Sequence, residues 1–159
     1  MAVELSTKEI WQVIENKLFA VLGLVTADGE ARTVGIVYVV HDRKIYIATG
    51  NNTWKARHIR SNPHVSMTVT VPKRILFLPW IKIPAATITF SGLATVLNPK
   101  NVGVDVLRSL LRGLETDTEI LGSMCVIEVQ PVGDFITYGV GIPLMAMRDP
   151  EKARGRTPV

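Results

Sequence analysis

Between Phe19 and Val71 the chain repeats one pattern, a short Val/Ile-rich run followed by a tight turn, and that pattern confines the fold to antiparallel sheet. Phe19 to Thr26 is apolar, short and rich in Val and Leu, and reads as a strand buried on both faces. Ala27-Asp28-Gly29-Glu30 is a turn whose glycine can take positive φ, so Ala31 to Val40 returns antiparallel. A second turn, His41-Asp42-Arg43-Lys44, leads into Ile45 to Ala48. The three runs make a meander, with Arg32 and Thr49 on adjacent strands that line one groove. Asn51 or Asn52 caps a helix from Thr53 to about Arg60, which ends at Asn62-Pro63 because the residue before proline avoids helical backbone. His64 to Val71 alternates and is rich in Val and Thr, which predicts a fourth strand.

Outside this block, Ser6 and Glu9 form a capping box before Ile10, Val13, Ile14 and Leu18 at helical spacing, which predicts an amphipathic helix over Thr7 to Asn16. Pro72 to Pro84 is apolar and carries Trp80 near its middle. Lys82 and the breaks at Pro79 and Pro84 exclude a membrane span, and so much exposed apolar surface implies cover by a partner subunit or a ligand. Ala85 to Leu97 predicts a long strand. Pro99 starts a helix with Val102, Val106, Leu107, Leu110 and Leu111 on one face and Gly113 near its end. Met124 to Val129 and Asp134 to Val140 predict two closing strands, and the basic tail from Ile142 reads as irregular. Strands dominate without βαβ alternation, so the fold class is mainly β (α+β), a small barrel with attached helices. One domain is expected over residues 1–141, with 142–159 as a basic tail, irregular or packed on a partner subunit.

The net charge of +4 favours anionic ligands without choosing among them. The bases gather at Lys55 to Arg60 and Arg148 to Arg156 with no interleaved aromatics, which argues against a nucleic-acid partner. A single cysteine, Cys125, lies in an apolar run and cannot form an internal disulfide; its buried thiol suits a reducing cytoplasm. The first residues lack the basic-then-apolar order of a signal peptide, so the expected location is cytoplasmic. His41, His58 and His64 have no metal-ligand spacing, and His58 reads as a surface residue of its helix. Ser66 and Ser91 have no glycine elbow, and Trp11 and Trp80 read as packing residues.

The chemistry concentrates in Thr49-Gly50-Asn51-Asn52-Thr53-Trp54-Lys55. A phosphate needs hydroxyl or backbone donors and a cation, best at a helix N-terminus. Thr49, Thr53 and Lys55 supply these, and Trp54 is placed to cover a ring. Lysine in the first helical turn opposes the helix dipole; it either meets a bound anion or is simply solvated, at a cost of about a few tenths of a kcal/mol. Arg32, taken alone, is an ordinary strand-end arginine, and its place in the meander beside Thr49 makes it a candidate.

In these segments the sequence resembles the FMN-binding split-barrel family typified by pyridoxamine 5'-phosphate oxidase. The resemblance runs through Asp28-Gly29, Arg32-Thr33-Val34, Ile45-Tyr46-Ile47-Ala48-Thr49, Lys55, Asn62-Pro63-His64-Val65-Ser66, Leu78-Pro79-Trp80 and Thr89-Phe90-Ser91-Gly92-Leu93-Ala94. It implies a six-stranded antiparallel split barrel with Greek-key-like connections and flanking helices, and a homodimer that holds FMN at the subunit interface. The residues it assigns to the cofactor are Arg32, Thr33, Val34 and Val37 along the flavin, Ala48 and Thr49 in contact with it, and Lys55 on its phosphate beside Thr53 and Trp54. Thr87 falls where the oxidase has a flavin-ring glutamine, Val37 where it has a substrate-phosphate lysine, and Trp54 where a base is common. The oxidase's C-terminal Arg/His substrate motif has no counterpart. The resemblance thus implies a flavin-dependent oxidoreductase with a substrate other than pyridoxamine phosphate. The alternatives are a deazaflavin-dependent reductase and a non-catalytic flavin or haem-binding protein. A flavin site works by positioning, so no catalytic side chain is assigned, and no metal site is expected.

Overall fold

Ser6 and Glu9 cap each other reciprocally, so α1 (Thr7–Glu15) starts where the sequence places it. The structure is a computed structural model that describes residues 4–112 and 118–159. Ile10, Trp11 and Ile14 face inward from α1, whereas Leu18 lies beyond its end and is exposed. Among the described residues no helix is long and apolar enough to cross a membrane.

The expected meander is corrected by one bend. The second strand breaks at Tyr38 into β2 (Ala31–Val37) and β3 (Val39–His41). β2 pairs antiparallel with β1 (Phe19–Val25), while β3 pairs with β4 (Lys44–Gly50). At the break, the Tyr38 side chain turns into the core and its hydroxyl donates to the Ile14 carbonyl at 2.8 Å. Arg32 and Thr49 are therefore not on paired strands.

The remaining strands are β5 (His64–Val71), β6 (Ala86–Leu97), β7 (Met124–Tyr138) and β8 (Arg154–Pro158). They form an eight-stranded sheet in the order β2-β1-β5-β6-β7-β4-β3, with β8 on β7. Its two ends, β2 and β3, are successive segments of one bent strand, which curls the sheet into a split half-barrel. Counted that way the expected six strands are all present, and β8 is an addition. Where two closing strands are predicted, β7 runs through unbroken, its pairing with β6 shifting between Thr89 and Ser91. The core holds Leu22, Ile47, Met67, Ile88 and Ile127, and Phe135 meets Trp11 and Phe90 edge-on at 5.4 and 5.3 Å.

After β6, Asn98 caps a single 3-10 turn at Pro99–Asn101, and α3 (Val104–Leu111) begins later than predicted. Val106 of α3 packs over Tyr46 and Val126 in a second, smaller core. Gly113 lies outside the described residues. α4 (Thr118–Ser123) leads directly into β7.

The tail read as irregular is instead ordered. Asp149 caps the short α5 (Pro150–Ala153), and β8 follows against Asp134–Tyr138. The hydroxyls of Thr7 and Thr157 donate to the carbonyls of Pro158 and Leu5 respectively, which locks the two termini together. The sequence signal was weak because β8, RGRTP, has little apolar content; its partner strand, not its own pattern, makes it a strand.

Candidate functional site

The segment between β4 and α2 (Trp54–Ser61) is held from three sides. The Asn51 N–H donates to the Ser123 carbonyl at 2.9 Å, and the Thr53 N–H to the Gly50 carbonyl at 3.2 Å. Arg60, from the far end of α2, reaches back so that its guanidinium donates to both the carbonyl and the side-chain oxygen of Asn51. Neither Asn51 nor Asn52 caps α2, contrary to the sequence reading; the cap position is Thr53, and Asn51 is occupied by Arg60.

Thr53 does not cap with its side chain either. Its hydroxyl donates to the Gly50 carbonyl at 3.0 Å and lies 3.2 Å from the Thr49 hydroxyl. The first turn of α2 carries no acid and receives no side-chain cap, so its N–H groups and the positive end of its dipole stay open. Lys55 lies in that turn, half-buried, and makes no hydrogen bond or ion pair among the described residues. Lys55 and Arg60 also act on Cys125, the residue paired with Thr49. Burial pushes the Cys125 thiol up, and the charges of Arg60 and Lys55 pull it the other way. Open N–H groups and the Lys55 cation lie at this turn, the kind of donors that hold a phosphate or carboxylate, while the Thr53 hydroxyl is engaged by Gly50 and Arg60 by Asn51.

Arg32 reaches this region from a different direction. It stands at the start of β2, paired with Leu24 and bridged to Glu30 at 3.3 Å. With Trp54 and His58 of α2, and Thr26, Asp28 and Glu30 of the β1–β2 turn, it lines a cleft of about 190 Å³. The turn is fixed by Gly29 at φ +81 and by two bonds between Thr26 and Glu30. On its other side Arg32 borders a second cleft of about 310 Å³ with Thr33, Gly23, His64 and Ser66. The reading of His58 as a plain surface residue is corrected: its Nδ1 accepts the Ala27 N–H at 3.1 Å and ties α2 to the turn. The signal for it was its position four residues after Trp54, on the same helix face. Arg60, also missed, could not be found from spacing, because its partner is nine residues back across a loop.

The fold brings the hydroxyls of Thr49 and Thr53 to 3.2 Å, with Lys55 in the helical turn that follows, and sets Trp54 and Arg32 on one cleft, whereas Thr33 borders only the second cleft with Arg32. Val34 faces the core. Ala48 is exposed one residue before Thr49. Val37 and Thr87 lie apart from these: Val37 is exposed at the far end of β2, paired with Phe19, and Thr87 is half-buried near the start of β6. A larger cleft of about 500 Å³, between Asn98–Lys100 and Leu121, contains none of the predicted residues.

The family model described as pyridoxamine 5'-phosphate oxidase matches residues 6–131, which is most of the chain and includes both clefts and the whole β4–α2 segment. The chain belongs to the pyridoxamine 5'-phosphate oxidase family. Solved structures agree on the fold. A conserved hypothetical protein, Rv2991 from Mycobacterium tuberculosis, is 19% identical, with 89% of this chain and 91% of that one covered and a TM-score of 0.67. An F420 reductase is 20% identical over 78% of this chain and 93% of its own, at a TM-score of 0.55. HutZ, a haem storage protein from Vibrio cholerae, is 17% identical over 87% and 96%, at 0.65. No curated protein is similar enough in sequence to count as a match. Identities this low carry the split-barrel fold of the family and nothing finer.

Proposed function

We propose that this member of the family is an FMN-binding oxidoreductase that acts as a homodimer on a small molecule other than pyridoxamine phosphate. The observation that carries the reading is the open first turn of α2 with Lys55 half-buried and unpaired beside it. A phosphate beside Lys55 and the open α2 N–H groups gives both a partner, with the Thr49 and Thr53 hydroxyls lining the same turn. Arg32, Thr33 and Trp54 then border the rest of the cofactor, and Ala48 allows close approach next to Thr49. The flavin supplies hydride transfer; the chain supplies grip, orientation and a cationic surround.

A second copy fits the same picture. The Arg32–Trp54 cleft, at about 190 Å³, is below the ~300–1,000 Å³ of usual ligand sites, as expected where one subunit contributes only part of the walls. Val37 and Thr87, distant from that cleft within one chain, are then available to the partner's cofactor. The exposed Phe19 and Val37 on the outer face of β1 and β2 give such a contact an apolar surface.

A deazaflavin coenzyme is the second reading, favoured by Trp54 at a position where a base is common and by the basic residues of the tail. The absorbance spectrum of the purified protein, with mass spectrometry of the released compound, tests both. FMN gives two visible bands and deazaflavin one at shorter wavelength; a protein that takes up neither refutes the proposal. Turnover with a reduced nicotinamide and an acceptor distinguishes an enzyme from a protein that only binds its cofactor.

A further inference from the structure

His58 joins two elements that line the Arg32–Trp54 cleft. Its Nδ1 accepts the Ala27 N–H at 3.1 Å, and among the described residues this is the one hydrogen bond between α2 and the β1–β2 turn. The turn is held within itself by Gly29 and the two Thr26–Glu30 bonds, so what His58 sets is where the whole turn lies against α2. On the helix side the His58 ring meets Trp54 at a steep angle, with centroids 6.2 Å apart and planes at 62°. Trp54, His58, Asp28, Glu30 and Arg32 all line the same cleft, so its shape depends on the bond between Ala27 and His58.

A ring nitrogen that accepts a backbone N–H carries no proton, so this bond exists only for the neutral tautomer with its proton on Nε2. Protonation sets one N–H against another and turns the tie between turn and helix into a clash of donors. The half-buried ring has charges of both signs around it. Asp28 and Glu30 share its cleft from the turn and Arg32 from β2, with Glu30 bridged to Arg32 at 3.3 Å, while Lys55 and Arg57 flank it on its own helix. β1 and β6, the strands that pack on α2, carry no titratable side chain. The two carboxylates offer an imidazolium new partners once it leaves Ala27.

We propose that His58 is a proton-operated latch on this cleft: neutral, it holds the β1–β2 turn against α2; protonated, it releases the turn and weakens the hold on a ligand between Arg32 and Trp54. The consequence for flavin binding rests on the function proposed for this cleft, whereas the latch itself does not. An imidazole changes charge between about pH 8 and pH 5, so the latch works where few other side chains titrate.

Two measurements on the full chain test it. The first needs no flavin. The hydrogen-exchange protection factor of the Ala27 amide, read by NMR, is expected to fall about fivefold or more between about pH 7.5 and pH 5.5, the worth of one hydrogen bond, while that of Thr26, bonded within the turn, does not. His58→Asn sets a side-chain oxygen where Nδ1 lies, accepts the same N–H without titrating, and is expected to keep Ala27 protected across the interval; His58→Phe is expected to leave it unprotected throughout. The second is the affinity for riboflavin, which lacks the phosphate whose own ionisation near pH ~6 would be superimposed. It is expected to fall about fivefold over the same interval in the wild type and to stay level in His58→Asn. Unchanged protection of Ala27 in the wild type, or a riboflavin affinity that falls equally in His58→Asn, overturns the proposal. A wild type that binds no riboflavin at either pH counts against the flavin site, and the Ala27 amide then decides for or against the latch alone.

Discussion

The Thr53 hydroxyl lies 3.2 Å from that of Thr49 and donates its own proton to the Gly50 carbonyl, so the residue at the cap position of α2 leaves the helix uncapped. Threonine is an accepted capping residue, and turning it away gives up about 1 kcal/mol of helix stability. That sacrifice has a use if the open N-terminus receives a ligand.

Thr53→Asp puts stability and binding in opposition. A carboxylate at this position caps α2 and complements its dipole, so the melting temperature is expected to rise by about 2–4 °C, corresponding to about 1 kcal/mol. The same carboxylate fills the anion site, and FMN affinity is expected to fall at least about tenfold through loss of donors and like-charge repulsion. Thermal melts and flavin titrations of one preparation measure both.

The β3–β4 turn is strained for a reason unrelated to any ligand. Asp42 and Arg43 both have positive φ, 49° and 57°, a conformation that costs side chains about 1 kcal/mol and that glycine adopts freely. Arg43→Gly turns the pair into Asp-Gly, the preferred sequence for a two-residue hairpin of this kind. The expected result is stabilisation by about 0.5–1 kcal/mol, read from urea midpoints at unchanged slope, with no change in cofactor binding.

Alkaline stability should report on the second core. Burial, then the hydrogen bond to Glu128, push the Tyr46 hydroxyl up to about 12 from its ordinary 10.0, and burial also raises Tyr38. A raised acid keeps its proton in the folded state, so its contribution is complete below pH 10 and is lost as pH rises toward 12. Tyr46→Phe is expected to flatten that decline, seen as a smaller drop in melting temperature between pH 9 and pH 11 than in the wild type.

How much of this was legible beforehand differs between fold and site. The capping box of α1, the strands and the β1–β2 turn follow from local patterns, because periodicity and turn residues act within a few positions. The bend at Tyr38 is not a local signal: an alternating strand reads the same whether its halves pair with one neighbour or two, and the choice is made by a hydroxyl reaching Ile14. That bend separated Arg32 from Thr49, the pair the meander reading had joined. Thr49 and Thr53 come within 3.2 Å, with Lys55 in the next turn, since seven successive residues at a strand-to-helix turn have few ways to be far apart. His58 and Arg60 were missed in their roles because each is fixed by a partner on another element or loop.

The central claim is that the Thr49–Lys55 segment grips a phosphate, and titration of FMN against riboflavin tests it with the flavin ring held constant. In the wild type, quenching of flavin fluorescence is expected to give FMN an affinity about tenfold to a hundredfold above riboflavin, the worth of charge-assisted hydrogen bonds to a half-buried lysine. Lys55→Ala should remove most of that gap while leaving riboflavin binding and the melting temperature nearly unchanged. Equal affinity of the wild type for FMN and riboflavin, or a gap that Lys55→Ala leaves intact, would contradict the account.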